Sequence, residues 1–281
     1  MSGMHTVSGM HTVSGMHTVS GRHTVSGRHT VKVTLLAHTP EPERLTVAAA
    51  LLCYQKGSPE EAWRKAGSDK LRNRLFEELV RQGHGSTLEH PSFTFGIEGI
   101  SRACSHQLVR HRLSSYNQQS QRYVDVGDPD YFIEPESLAD DGGRFEQVIG
   151  ETVAYYRETI ERFAAKGKKG EQAQEDARYI IPNAGKTNLI WTTNLRNLLH
   201  VAHVRLCSRA QWEIRHMMQA CRRAMEPEFP LIAKYMVVKC HPFAMGYCDE
   251  EFRTCGFRPL REKVVPADEA CPPGPGYGKE D

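Results

Sequence analysis

The sequence predicts an α+β protein, and three observations carry that prediction. Segments with the two-residue alternation of a strand are mixed with segments of helical periodicity, and the two kinds follow no repeating strand–helix–strand rhythm. No Gly-x-Gly-x-x-Gly turn follows any candidate strand, which argues against a Rossmann dinucleotide fold.

Residues 2–31 are five copies of a six-residue unit, Ser-Gly-(Met or Arg)-His-Thr-Val, starting at Ser2, Ser8, Ser14, Ser20 and Ser26. One Val per unit buries too little to offset the entropy of ordering the backbone, so residues 1–31 are expected to be disordered. Histidines at every sixth position of such a chain build no fixed tetrahedral metal shell. Composition changes at Lys32, where a folded domain spanning 32–262 is expected to begin. Val33, Leu35 and Leu36 read as a first strand, and residues 41–54 as a helix with a small apolar face. Residues 70–82 place Leu71, Leu75 and Leu79 four apart, which suits an amphipathic helix stopped by Gly83. After a turn-rich stretch, residues 92–100 alternate Phe93, Phe95 and Ile97 with smaller or polar residues as a strand does, and residues 102–112 regain helical periodicity. Helices are expected at 145–164 and 171–179, a strand at 188–193 leading into a helix over 194–206, and a further helix at 211–225. Beyond Lys263, Pro266, Pro272, Pro273 and Pro275 with Gly274, Gly276 and Gly278 give residues 263–281 the composition of a disordered tail.

With 39% hydrophobic and 25% charged residues, the 281-residue chain has material for one large core or two small ones. Lys plus Arg (36) nearly balance Asp plus Glu (34), so no global field draws the protein to DNA or to a membrane surface. Any bound anion must be met by locally clustered arginines. No apolar run approaches the roughly 18 residues of a membrane span, and no signal peptide is evident, so a cytoplasmic location is expected. Eight cysteines without an export signal are expected to stay reduced, with thiol chemistry or a metal still open.

The densest chemical signal is the run Arg110-His111-Arg112-Leu113-Ser114-Ser115-Tyr116-Asn117-Gln118-Gln119-Ser120-Gln121-Arg122-Tyr123. Guanidinium forks, hydroxyls and neutral amides in one stretch suit a phosphate together with a polar heterocycle. At every fixed position this run resembles the signature Arg-His-Arg-x-x-Ser-x-Asn-x-x-Ser-x-Arg of the flavin-dependent thymidylate synthases. Two further blocks agree with that family in order and spacing, from Gly83 to Phe95 and from Asn194 to Arg205, and the resemblance covers roughly residues 32–260.

The resemblance implies a twisted, mainly antiparallel sheet flanked by helices, and an active site shared between subunits of a homotetramer. It assigns His84, Ser86, Arg110, His111, Arg112, Gln118, Asn194, Leu195, Arg196 and His200 to FAD. To deoxyuridylate (dUMP) it assigns Gln107, Leu108, Val109, Arg110, Gln118, Gln119, Ser120, Gln121, Arg122, Arg178 and Arg205. Gln118 departs from the family, where a carboxylate is frequent. By the same resemblance, methylenetetrahydrofolate supplies the carbon and NADPH the reducing equivalents, thymidylate and tetrahydrofolate are the products, and neither DNA nor membrane is a partner.

Several of these residues admit another reading. His84, Glu89 and His90 are metal-ligand types, but their spacing is not His-Glu-x-x-His, and Glu89 with His90 can instead anchor the strand near Phe93. Arg178 follows Glu175 by three residues, as in a helical salt bridge. None of the eight cysteines falls in the nucleotide motif, and Ser120 has no base beside it in sequence, so a covalent nucleophile is not expected. Arg205 beside the pyrimidine would instead favour loss of the N3 proton and push electron density to C5, which makes it the expected catalytic residue. Cys240, His241, Cys248 and Cys255 lie beyond the last matched block. Seven residues separate the first two cysteines and six the next two, without the Cys-x-x-Cys knuckle usual in zinc sites, so free packed thiols are expected there, with a metal or a disulfide as the alternatives. A flavin oxidoreductase acting on another substrate and a non-catalytic nucleotide-binding protein are the competing readings.

Overall fold

A computed structural model of the chain describes residues 30–264. The repeats expected at 1–31 and the tail expected at 263–281 lie outside these residues, apart from the two innermost positions at each end. In chain order come β1 (Lys32–His38), α1 (Pro42–Tyr54), α2 (Pro59–Ala66), α3 (Asp69–Gln82), β2 (Ser92–Ser101), α4 (Arg102–Leu108) and β3 (Ser114–Gln118). There follow α5 (Arg144–Ala165), α6 (Glu171–Ala177), β4 (Lys186–Asn194), α7 (Leu195–Arg205), α8 (Trp212–Met225) and α9 (Pro230–Tyr235). The four strands form one sheet in the order β1-β2-β4-β3, and every pairing is antiparallel. The α+β class and the antiparallel sheet flanked by helices are therefore as read.

Alternation decides which face of the sheet is buried. Phe93, Phe95 and Ile97 of β2 are fully buried, and Trp191 of β4 pairs with Phe95 on one side and Tyr116 of β3 on the other. The Phe95 and Trp191 rings sit 5.5 Å apart at the centre of this face. Leu195, Leu198, Val201 and Ala202 of α7 and Ile214, Met217, Met218 and Cys221 of α8 complete the main core. A smaller core, with Val126, Tyr156 and Ala177 at its centre, joins α5 to α6 beyond the other end of β3. Gly99, at φ +75°, stands in the irregular stretch of β2 between Ile97 and Ile100, where the extra residue of a bulge favours a conformation that a side chain would strain.

Three elements were not anticipated, the third being the short α9, which Pro230 opens. The helix α2 is short, but Ser58 and Glu61 form a capping box around Pro59 and define its start. The motif's own segment forms β3, an edge strand whose polar alternation resembles a loop until Trp191 is placed beside it. The helix expected over 102–112 stops at Leu108, because Arg110, Arg112 and Leu113 are exposed and offer no apolar face to extend it. The helix expected over 171–179 ends at Ala177 and passes into a 3-10 turn at Arg178–Ile180. No helix among the described residues is long and apolar enough to cross a membrane.

Candidate active site

The helix α7 turns its apolar side to the core and leaves Arg196 and His200, four residues apart, exposed on the other. Asn194 caps it, its side-chain oxygen accepting the N–H of Asn197 (2.9 Å). Buried Asn197 in turn donates to the Leu113 carbonyl (3.2 Å) and to the hydroxyls of Ser114 (2.9 Å) and Thr193 (2.8 Å), which fixes the start of the motif strand against α7. Trp191 Nε1–H donates to the same Ser114 hydroxyl (2.9 Å). The Tyr116 hydroxyl lies 2.9 Å from the Leu108 carbonyl and 2.8 Å from that of His111, so the Arg110–Arg112 turn is clasped from beneath.

At the far end of α7, Arg205 Nε–H donates to His111 Nε2 (3.0 Å) and Nη2–H to the Gln107 carbonyl (3.3 Å). The His111 and His200 rings meet edge to face at 5.9 Å. Partial burial, then the Arg205 charge, then His200 push the His111 pKa down to about 4. The ring is thus neutral at pH 7, with Nε2 bare to receive Arg205 and the proton on Nδ1. Burial lowers the Arg205 pKa as well, but a guanidinium stays charged at neutral pH. Arg110 and Arg112 are exposed and make no ion pair or hydrogen bond among the described residues. Arg196 pairs with Glu89, and Gly85 lies so close that a Cβ there would come within 2.8 Å of Arg196 Nε. Glu89 therefore faces α7, while His84 Nε2 lies 3.0 Å from the Gln82 side chain, and these groups do not converge as metal ligands. Ser86 is exposed beside them.

The other end of β3 holds the second half of the motif. The Gln118 amide donates to the hydroxyls of Ser105 (2.8 Å) and Thr187 (3.2 Å), so its NH2 group is held inward. Arg102 Nη2–H donates to the Gln119 carbonyl (2.6 Å), and Ser120 Oγ accepts the Arg122 N–H (3.1 Å) in a local turn. Arg122 pairs with Glu171 and, at 3.2 Å, with Glu175. The helical salt bridge considered for Arg178 is absent: its Nε–H reaches the Glu175 backbone carbonyl (3.2 Å), because the carboxylate is engaged by Arg122. Nε of both Arg102 and Arg122 is buried without a hydrogen-bond partner among the described residues. Gln107 donates to the Gln211 side chain (2.6 Å). Leu108 and Leu195 are fully buried in the core, and Val109 donates its N–H to Ser105, so their part in the site is to place their neighbours.

Sequence reasoning missed the supports. Buried Glu213 of α8 accepts both the N–H (2.6 Å) and the hydroxyl (2.5 Å) of Ser101, whose oxygen caps α4 by accepting the Cys104 N–H (3.0 Å). Burial raises the Glu213 pKa, against the lowering effect of the Ser101 bonds. No local pattern marks Glu213 or Asn197, because their partners lie in other elements.

Residues 34–231 match the family described as thymidylate synthase complementing protein. A flavin-dependent thymidylate synthase of Nitratidesulfovibrio vulgaris is 40% identical over 244 residues, covering 83% of this chain and 97% of the relative. The chain belongs to the flavin-dependent thymidylate synthases. A member from Pyrococcus furiosus is 39% identical over 228 residues, with 78% and 90% of the two chains covered. Among solved structures, a UMP/dUMP methylase of Streptomyces cacaoi, bound with 5-Br dUMP, shares the fold at a TM-score of 0.57 and 24% identity, covering 74% of this chain and 95% of that one. Arg110 and Arg112, without an ion pair among the described residues, stand exposed together with His200, Ser86 and Arg196, the last engaged by Glu89.

Proposed function

We propose that the protein converts dUMP to thymidylate, with methylenetetrahydrofolate as the carbon donor, FAD as the flavin and NADPH as the reductant. The observation that carries this reading is the Arg205 contact: one guanidinium ties α7 to His111 of the signature and to Gln107 of α4. Arg110, His111, Arg112, Asn194, Arg196 and His200, with His84 and Ser86, are the flavin side of the site. Gln107, Gln119, Ser120, Gln121, Arg122 and Arg178 are the nucleotide side, with Gln118 between the two. FAD, when bound, supplies hydride transfer.

The chain's own residues then have distinct tasks. Neutral His111 accepts one Arg205 donor and so aims the remaining guanidinium N–H groups, whose charge favours the pyrimidine anion formed when N3 loses its proton. The Ser120 hydroxyl has the Arg122 N–H, not a base, as its hydrogen-bond partner, and acts as a hydrogen-bonding ligand to phosphate. Arg122 offers its unpartnered Nε and, on exchange with Glu171 and Glu175, its fork. A homotetramer would join the two halves of the motif, which lie at opposite ends of β3, across subunits. Anaerobic incubation with dUMP, methylenetetrahydrofolate, FAD and NADPH tests the reading, with thymidylate identified directly. Flavin that reoxidises without dUMP-dependent product would mark an oxidoreductase on another substrate, and a colourless protein would mark a nucleotide binder.

A further inference from the structure

The cysteines near the C-terminal end take no part in the proposed site, yet the fold brings four of them together from two places. Cys207 follows Leu206, the C-cap of α7. Lys239 N–H donates to the His203 carbonyl (3.0 Å), four residues before Cys207 and one turn along the same side of that helix, and this seats Cys240 beside it. The chain then folds back on itself, with Cys248 N–H donating to Pro259 (2.8 Å) and bridging Leu260. Arg209 donates to the Arg253 carbonyl (3.1 Å), and the Ser208 side chain hydrogen-bonds Cys255, so the third cysteine of the loop returns to the neighbour of Cys207. Cys248, Cys207 and Cys255 all lie near enough to Cys240 for their charges to act on it. All four are free thiols.

The surrounding segment has little else to hold it. Between Tyr235 and residue 264 it forms no strand and no helix beyond short 3-10 turns, and Met245, Phe252 and Phe257 turn outward, Phe252 being 97% exposed. Yet Cys240 and Cys248 are each only 7% exposed, and Cys255 receives hydrogen bonds from the Ser208 side chain and the Phe257 N–H. We infer that Cys207, Cys240, Cys248 and Cys255 are the four ligands of a structural zinc ion that fastens the 239–260 loop to the end of α7. The sequence spacing lacks a Cys-x-x-Cys knuckle, and the structure supplies the missing ligand from a distant element. His241 is not in the set: its Nδ1 accepts the Phe243 N–H (3.1 Å) and its ring packs on Phe243 at 4.8 Å. Among the described residues no three ligating groups already stand as a metal site, so the ion closes a set of neighbours, with exposed Cys255 swinging in. Four thiols bind one Zn2+ as thiolates and release their protons to solvent, with no change of oxidation state.

The test uses the full chain, produced without an affinity tag and dialysed against EDTA, with zinc counted per chain and its shell read by X-ray absorption. About one zinc per chain in a shell of four sulfurs at roughly 2.3 Å supports the site, and the sulfur shell separates it from zinc scavenged by the histidine repeats, whose nitrogens bind at roughly 2.0–2.1 Å. Cys240→Ser should lose the sulfur-bound zinc while Cys53→Ser keeps it, and if Cys240→Ser fails to fold, thiol titration of the wild type decides. Cys255, although exposed, should react with a thiol reagent only after a strong chelator has removed the metal. Less than about a tenth of an equivalent of zinc, a nitrogen and oxygen shell alone, immediate labelling of Cys255, or a disulfide among the four would overturn the inference.

Discussion

Replacing Arg205 by Ala removes the Nε–H bond to His111 (3.0 Å) and the longer one to the Gln107 carbonyl (3.3 Å). Each such bond contributes about 0.5–1.5 kcal/mol net, and water can reach the half-buried His111 ring, so the loss of stability should be about 1–2 kcal/mol and the variant should fold. Two consequences follow from geometry. His111 loses the second of its three pKa-lowering influences, so its pKa should rise above about 4, while burial, the largest influence, still holds it below the ordinary 6.5. Turnover should fall by about 10²–10³ or more, as when a preorganised donor is removed from a developing anion, with the flavin still bound because the proposed flavin ligands Arg110, Arg112 and Arg196 are untouched. The measurements are the visible flavin band, anaerobic thymidylate formation, and the imidazole titration of His111 by NMR. Turnover within tenfold of the wild type would refute the electrostatic role, and an unmoved His111 titration would refute the Arg205–His111 contact.

Three more predictions rest on single observations. His111 refuses in the folded chain a proton that the unfolded chain takes up near pH 6.5, so stability present above that pH should be lost as pH falls toward 4; after screening of this half-exposed ring the loss is about 1–2 kcal/mol, and chemical denaturation should show a shallower fall for His111→Gln. His203, lowered mainly by burial, adds a slope of the same sign, and comparing the variant with the wild type separates the two. Ser120→Ala should weaken dUMP binding about tenfold to a hundredfold while leaving residual chemistry, consistent with one lost bond to a charged group worth roughly 1.5–3 kcal/mol; a covalent nucleotide adduct trapped on Ser120 would establish it as a nucleophile instead. Gly85→Ala puts a Cβ within 2.8 Å of Arg196 Nε, and because that side chain is exposed it should swing aside, lowering flavin affinity with little change in melting temperature; unchanged flavin titration would remove Arg196 from the flavin site.

The parts of this molecule that can be read from sequence are those in which neighbours along the chain do the physical work. Phe93, Phe95 and Ile97 announce β2 because one strand face is buried, and Gly83, at φ +73°, ends α3 where the apolar spacing stops. The signature was legible for a different reason: guanidinium, imidazole and hydroxyl groups cannot crowd into fourteen residues without a ligand to justify them. Its conformation was not legible, since Ser114–Gln118 becomes a strand only through pairing with β4 and through Trp191 and Asn197, both bonded to the Ser114 hydroxyl. The same holds for charge. Arg122 and Arg178 looked alike as dUMP ligands, but among the described residues one is held by Glu171 and Glu175 and the other by a backbone carbonyl.

That asymmetry bears on how the nucleotide half of the site would work. Glu171 and Glu175 belong to α6, which packs on α5 and the small core rather than on the main sheet. Arg122 is thus one tie between the end of the motif and that smaller unit, and a phosphate taking its fork would loosen this tie while Nε gains the partner it lacks. The exchange replaces two half-exposed carboxylate contacts, each weak in water, with a bidentate pair to a dianion, and is opposed by ordering the ligand and by repulsion from the two released carboxylates. Arg205 needs no such exchange. It is already oriented by neutral His111 before any ligand arrives, as a group that must act on a developing charge should be. On the proposed reading one guanidinium is fixed in advance for chemistry and the other is held by a contact that binding can displace, and the difference lies in their partners: an uncharged imidazole for the first, two carboxylates for the second.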